Sequence, residues 1–353
     1  MLNYLLKRLL LIIPTLLGIM LLNFVIIQSA PGGPVEQMIA KLQGIGDSAT
    51  ARVSGSSQGE TSNTSSHGLS PETLAKIEQM YGFDQPAHRR FIDMVIAYSQ
   101  LDFGDSFYRN SSVIDLIKEK LPVSISLGLW STLLVYLISI PLGIKKAINH
   151  NSRFDIISSA VITVSYAIPG FLLAIFLIVI FAGGSFLDWF PLRGLHSNDY
   201  QQLSLWGQIK DYFWHLALPL TAYTIGGFAT LTMLTKNSFL DEINKQYVVT
   251  ARAKGLTEQK ILYGHVFRNG MLIIIAGFPA AFLSMFFTGS MLIEVIFSLD
   301  GLGLLGYESV INRDYPVIFA TLFIFSLLGL LLKLLSDFTY MWVDPRITFN
   351  AQQ

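Results

Sequence analysis

Tyr247 to Asn269 reads YVVTARAKGLTEQKILYGHVFRN, a polar, basic stretch set between two of the most apolar segments of the chain. Arg252, Lys254, Lys260 and Arg268 charge it, with Lys236 and Lys245 just upstream. Such a stretch finds no partners in hydrocarbon, so it projects from the membrane, and its positive charge places it on the cytoplasmic side. The pattern predicts two short helices broken at Gly255. Val248, Val249 and Ala251 form one apolar stripe; Ile261, Leu262, Val266 and Phe267 form a second, at spacings of three to four residues. An amphipathic helical hairpin held against a membrane face suits docking onto another protein. The blander alternative is a basic loop that only obeys the positive-inside rule.

The rest of the chain is a membrane protein by composition. Of 353 residues, 52% are hydrophobic and 14% charged, with a mean hydropathy of +0.51. Soluble domains average roughly 25% charged residues. Zero net charge argues against a nucleic-acid binder driven by bulk positive charge. With no cysteine there is no disulfide, thiolate chemistry or cysteine metal site, and the six histidines form no pair at metal-ligand spacing.

Apolar runs long enough to span lie at about 9–27, 124–144, 156–182, 213–235, 271–297 and 316–341, the third interrupted by Pro169-Gly170. The first follows Lys7-Arg8 and exceeds the apolar core of a signal peptide, so it reads as an anchor. The short outer loops hold three positive residues, Arg193, Lys210 and Arg313. The inner segments hold twelve: Lys7, Arg8, Lys145, Lys146, Arg153, Lys236, Lys245, Arg252, Lys254, Lys260, Arg268 and Arg346. That asymmetry predicts an all-α membrane protein with six transmembrane helices and both termini cytoplasmic.

The predicted organisation is an N-terminal transmembrane helix (1–28), an extracytoplasmic loop or cap (29–123), a core of five transmembrane helices (124–347) and a tail (348–353). Within the cap, 44–68 is rich in Gly, Ser and Thr and reads as a flexible loop, and Ser70-Pro71-Glu72 starts a helix running to about Tyr81. A further helix runs to about Tyr98. The docking stretch occupies 237–268 of the core.

Thr250-Ala251-Arg252-Ala253-Lys254-Gly255, with the apolar run into His265-Val266, resembles the EAA loop of binding-protein-dependent ABC importer permeases. The form here is similar to that of oligopeptide and dipeptide permeases. Other stretches resemble the same family in order: Ala30-Pro31-Gly32-Gly33-Pro34, Leu101 to Ser106, Leu121-Pro122-Val123-Ser124, Glu294 to Phe297, Gly301-Leu302-Gly303, Asn312 to Pro316 and Asp344-Pro345-Arg346-Ile347. The family more often has threonine at the Ser124 position. Segments 30–37, Phe190 to Leu195 and Asp211 to His215 look most like the microcin C-type peptide permease subgroup.

The resemblance implies the type I ABC importer architecture. It assigns Thr250, Ala251, Arg252, Ala253, Lys254, Gly255, Leu256 and His265 to coupling with an ATPase, and makes Glu294, Gly301, Gly303, Arg313 and Asp314 gate or outer-loop candidates. It also implies a second homologous permease subunit, two ABC ATPase domains, an extracytoplasmic substrate-binding protein and a peptide substrate. The chain itself would be non-catalytic and hold no cofactor, ATP and Mg being bound by the partner ATPase subunits.

Gly301 to Gly306 reads GLGLLG, the dinucleotide pattern, but a fingerprint needs a preceding strand and a βαβ unit, and a membrane helix precedes it here. No Walker A motif occurs, so energy must come from a partner. Lys333 and Asp337, four apart, are placed to pair on one helix face. Pro141, Pro169, Pro219 and Pro279 permit bends, and Gly226-Gly227 and Gly277 permit close helix packing. An ion-coupled secondary transporter is the alternative, but it would usually show inverted repeats, and nothing repeats here. A membrane enzyme would need a catalytic set, and the spans offer only Glu294 and Asp337, towards opposite faces.

Overall fold

The computed structural model describes residues 2–29, 84–109, 111–183, 186–287 and 290–343. Among these the chain is helical: α1 (Leu2–Ser29), α2 (Ala87–Ser99), α3 (Val113–Ile148), α4 (Arg153–Ala167), α5 (Gly170–Phe181), α6 (Leu205–Ile243), α7 (Gln246–Ala253), α8 (Glu258–Gly270), α9 (Leu272–Phe287), α10 (Ser290–Ile296), α11 (Leu302–Asn312) and α12 (Tyr315–Val343). One isolated β-bridge, Asp105 to Ser112, is the only extended pairing among the described residues. The 44–68 loop, the 71–81 helix, the 30–34 turn and the 344–353 end lie outside them.

Four helices are long and apolar enough to cross a membrane: α1 from Leu6, α3, α6 and α12 as far as Thr339. Two bent pairs, α4 with α5 and α8 with the start of α9, bring the number to six when each counts as one span. The interruption expected at Pro169-Gly170 is a turn of 91°. Proline lacks the N–H that would continue the α4 ladder, so Pro169 ends one helix and caps the next. Ser152 opens α4 by accepting a hydrogen bond from Asp155 N at 3.2 Å, and Ser204 opens α6 in the same way from Gly207 N.

Several spans are longer than the apolar runs that announce them. The second begins at Val113 rather than Ser124, with Pro122 inside it, and the fourth runs from Leu205 to Ile243 rather than 213 to 235. Hydropathy marks what fits in hydrocarbon, whereas the backbone ladder continues into the polar flanks. Close packing is also placed differently from expectation. Gly226 and Gly277 have open space where a side chain would begin, whereas a Cβ at Gly143 would lie 2.6 Å from Thr235 Cβ. At Gly170 it would lie 2.9 Å from the Ala222 carbonyl oxygen.

The chain divides into two compact units. The larger holds residues 1–9, 120–305 and 328–353. Its core has one cluster around Leu127, Ala174, Leu216, Leu220, Ile293 and Phe297, where α5 packs along α6. A second cluster is built around Val135, Ile144, Ala147, Leu231, Phe239 and Ile274. The smaller unit holds 10–119 and 306–327, cored by the rings of Phe24, Phe91, Tyr98, Phe103, Phe319 and Phe323.

Candidate functional site

The basic stretch folds as the expected helical hairpin. Thr250 to Leu256 closes α7 through a Schellman motif: Gly255 N donates to Arg252 O at 3.0 Å and Leu256 N to Ala251 O at 3.3 Å. Both bonds require a left-handed residue between them, and Gly255 has φ of 80°. Leu256 then turns back onto the apolar cluster that holds Ala251, the hydrophobic contact that accompanies this motif. Arg252 reaches across the turn to Glu258, its Nε and Nη2 donating to the two carboxylate oxygens at 2.6 and 3.0 Å. That bond raises the Arg252 pKa.

Each helix buries its stripe, though not every stripe residue. Val248, Ala251, Ile261 and Val266 are buried against Ile144, Ala147 and Phe239; Leu262 and Phe267 are half-buried. Val249 faces out at 55% exposure, because its neighbour Val248 takes the inward position. Leu262 to Val266 forms a π-helical turn inside α8, which widens the helix by one residue and leaves Tyr263, Gly264 and His265 exposed. At its base, Tyr247 donates to Glu242 at 2.7 Å; burial, then this bond, raises its pKa. Ser238 also donates to the Gly270 carbonyl at 2.7 Å.

The eight residues assigned to coupling therefore divide in two. Thr250, Arg252, Ala253, Lys254, Gly255 and His265 form the exposed outer surface, whereas Ala251 is buried and Leu256 half-buried, so these two shape the hairpin. A groove of about 260 Å³, lined by Ile148, Ile243, Val248, Arg252, Glu258 and Leu262 among others, runs along its flank.

The gate candidates fall into two places. In the larger unit, Glu294 is fully buried and its Oε2 accepts from Leu304 N at 2.7 Å, while Ser124 Oγ accepts from Leu302 N at 2.9 Å. The start of α11 is thus capped from α10 and α3, and a buried carboxylate is well placed there because helix N-termini carry positive partial charge. Gly301 is buried against it: a Cβ there would lie 2.6 Å from Glu294 Cδ. Gly303, half-buried, sits in the same first turn. The GLGLLG pattern follows α10 and opens α11, so it serves a helix cap and has no strand before it.

In the smaller unit, Arg313 takes φ of 55° and closes α11. Asp314, 3% exposed, accepts from Phe107 N at 3.0 Å and from the Ser106 hydroxyl, and Arg109 pairs with Glu308. Two separated sequence motifs, 101–106 and 312–316, meet at this carboxylate.

The Lys333–Asp337 pair expected on α12 is not formed. Asp337 pairs with Arg8 of α1, and Lys333 faces outward. A spacing of about one turn allowed the i,i+4 pair, but a cation from another helix takes the carboxylate. Segments 190–195 and 211–215 do come together: Phe190 stacks on Trp214 with ring centres 4.5 Å apart, and Leu195 and Tyr212 pack against the same apolar cluster.

A third cluster was hidden in the basic residues read as topology markers. Asp155, in the first turn of α4, is 3% exposed and lies between Lys146 of α3 and Lys236 of α6, themselves buried. Lys236 Nζ lies 2.8 Å from both carboxylate oxygens, and Lys146 Nζ 3.1 Å from Oδ1. Its one sequence signal is the cap spacing from Ser152 to Asp155.

A family model for the inner membrane component of binding-protein-dependent transport systems matches residues 139–349. The chain is 61% identical to the peptidoglycan transport system permease protein YejB of Agrobacterium fabrum, over 99% of each chain. It is 58% identical to the inner membrane ABC transporter permease protein YejB of Escherichia coli O157:H7, again over 99% of each. Identity to the oligopeptide transport system permease protein AppB of Bacillus subtilis is 33%, over 98% of this chain and 99% of the relative. With several helices apolar enough to span, this is a multi-pass protein of the bacterial inner membrane. The chain belongs to the family of binding-protein-dependent transport system inner membrane components.

Proposed function

We propose that the chain is the transmembrane permease subunit of an ATP-driven ABC importer for peptides, with six spans and both termini in the cytoplasm. The hairpin carries this reading. It is anchored to the bundle by a buried stripe, closed by a glycine turn, and leaves Thr250, Arg252, Ala253, Lys254 and His265 exposed towards a partner surface. In this reading two ATPase domains bind ATP and Mg, grip the hairpin and rock the helices between inward- and outward-open states. A second related permease chain completes the pathway, and an extracytoplasmic binding protein delivers the substrate. The chain contributes no catalytic group. The peptide class is supported by relatives named for oligopeptide and for peptidoglycan transport.

Within peptides, we favour compact peptide conjugates of the microcin C type, on the strength of segments 190–195 and 211–215. The test is sensitivity to a peptide–nucleotide antibiotic in cells lacking the gene, complemented with the wild type or with Gly255→Pro. Deletion should give resistance that the wild type reverses and Gly255→Pro does not. Unchanged sensitivity on deletion overturns the narrow substrate; uptake of ordinary oligopeptides that is likewise unchanged overturns the peptide importer.

A further inference from the structure

Burying three charged side chains around one point is an expensive way to join helices, since each ion costs several kcal/mol to desolvate and apolar packing would serve stability as well. The arrangement around Asp155 is also lopsided. Lys146 Nζ is held four ways: by the Asp155 carboxylate, by the Asp155 carbonyl at 3.0 Å, and by the hydroxyls of Ser158 and Ser159 at 2.7 and 2.8 Å. Among the described residues, Lys236 Nζ bonds only to the Asp155 carboxylate. Asn151 N donates to the same carboxylate at 3.2 Å, and His150 Nδ1 lies 3.3 Å from it.

Should Lys236 withdraw, Asp155 therefore keeps a cation and a backbone donor, and is not left as an isolated buried charge. At this joint Lys146 holds both the carboxylate and the first turns of α4, whereas Lys236 holds the carboxylate alone, although α4 also packs along α6.

The position of this joint matters. Lys146 lies between Ile144 and Ala147, and Lys236 three residues before Phe239, all three packed on the hairpin residues Val248, Ala251, Ile261 and Val266. The hairpin thus rests on the turns of α3 and α6 that carry the two lysines. Asp155 opens α4, whose far end is the 91° turn into α5.

We propose that Lys236 and Asp155 form a releasable latch between α6 and α4, and that they act as positioning residues passing hairpin displacement to the α4–α5 bend. The inference rests on the hairpin being the ATPase docking element. In the cycle, drawing on the hairpin shifts α6, breaks the Lys236 contact and frees α4 to move, while Lys146 keeps the carboxylate compensated.

The experiment uses the assembled transporter in lipid nanodiscs and proteoliposomes, comparing wild type, Lys236→Met and Lys236→Arg. The readout is the ratio of substrate moved to ATP hydrolysed. Lys236→Met should assemble with wild-type yield, because Asp155 stays paired with Lys146, and its ratio should fall about tenfold, within the usual range of coupling between two sites. Lys236→Arg should restore it. A ratio unchanged in Lys236→Met overturns the latch, because a purely structural contact lowers transport and hydrolysis together. Failure of Lys236→Met to assemble also overturns it, because it contradicts the compensation by Lys146. A wild-type preparation that recruits no ATPase sinks the docking reading itself, and is recognised before any variant is compared.

Discussion

Gly255 isolates a single term. At φ of 80° it stands in the left-handed region, and no atom lies within 4 Å of where a Cβ would be, so alanine there meets no clash. The remaining cost is conformational, about 1–2 kcal/mol for an L-residue in this region. A cost of about 1.4 kcal/mol is tenfold in an equilibrium constant. Gly255→Ala should therefore raise the local opening of the α7–α8 turn by roughly five- to thirtyfold. Asparagine tolerates the region, so Gly255→Asn should open much less, and Gly255→Val more than alanine. The assay is amide hydrogen exchange of Gly255 and Leu256, whose N–H groups make the two Schellman bonds, followed in nanodiscs beside co-purification of the ATPase. Exchange should rise, and association fall, in the order glycine, asparagine, alanine, valine. Equal exchange in Asn and Ala variants would refute the backbone argument. Association lost equally in both, with exchange unchanged, would show instead that the partner's surface needs the bare Cα.

Three further outcomes follow from the geometry. Gly301→Ala should push the Glu294 carboxylate off Leu304 N, losing a charge-assisted bond of about 1.5–3 kcal/mol, and should lower the thermal midpoint. Combined with Glu294→Ala the loss should be well short of the sum, and strict additivity would show that the two do not compete for space. Asp314→Ala should strand the Phe107 N–H and the Ser106 hydroxyl at about 1–3 kcal/mol each and open 101–112 to protease, whereas Asp314→Asn, which keeps an acceptor, should protect it more. Arg252→Ala, at an exposed pair, should leave the thermal midpoint where it was yet weaken ATPase association. Ala251→Asp should instead lower the midpoint, because it buries a charge in the hairpin's own core.

The hairpin was legible in sequence because both of its signals are local: apolar stripes at helical spacing and a glycine after a basic turn. What local spacing left open was which of two adjacent valines points inward, and Val248 takes that place because it shares a face with Ala251. Charges misled in both directions. Lys118, Glu119 and Lys120 made the approach to the second span look like a loop, yet α3 runs through them, with Lys120 buried and paired to Asp300. That partner is 180 residues away in sequence, beyond the reach of any periodicity. Lys146 and Lys236 were read as topology markers, and they meet at Asp155, which is brought between them only when α3, α4 and α6 converge. Gly301 shows the same limit: the sequence told against a dinucleotide loop there, and only the fold puts Glu294 against it.

These contacts make α6 the element through which the rest must act. Its 39 residues span about 58 Å at 1.5 Å per residue, far more than the roughly 30 Å of a hydrocarbon core. At one end Asp211 holds Ser197 and Tyr212 accepts from Trp130 Nε1 at 3.0 Å. At the other, Lys236 meets Asp155, and the hairpin begins three residues after Ile243. Between them, Gly170 presses on the Ala222 carbonyl so closely that no side chain fits, while Gly226, one turn on, faces open space. Towards its hairpin end α6 is held closely again, because Gly143 of α3 leaves no room for a side chain against Thr232 and Thr235. A pull on the hairpin would act first at this Lys236 end, where α3 and α6 are in close contact. There the two lysines differ: Lys236 meets the Asp155 carboxylate alone among the described residues, whereas Lys146 also holds the Asp155 carbonyl and the hydroxyls of Ser158 and Ser159.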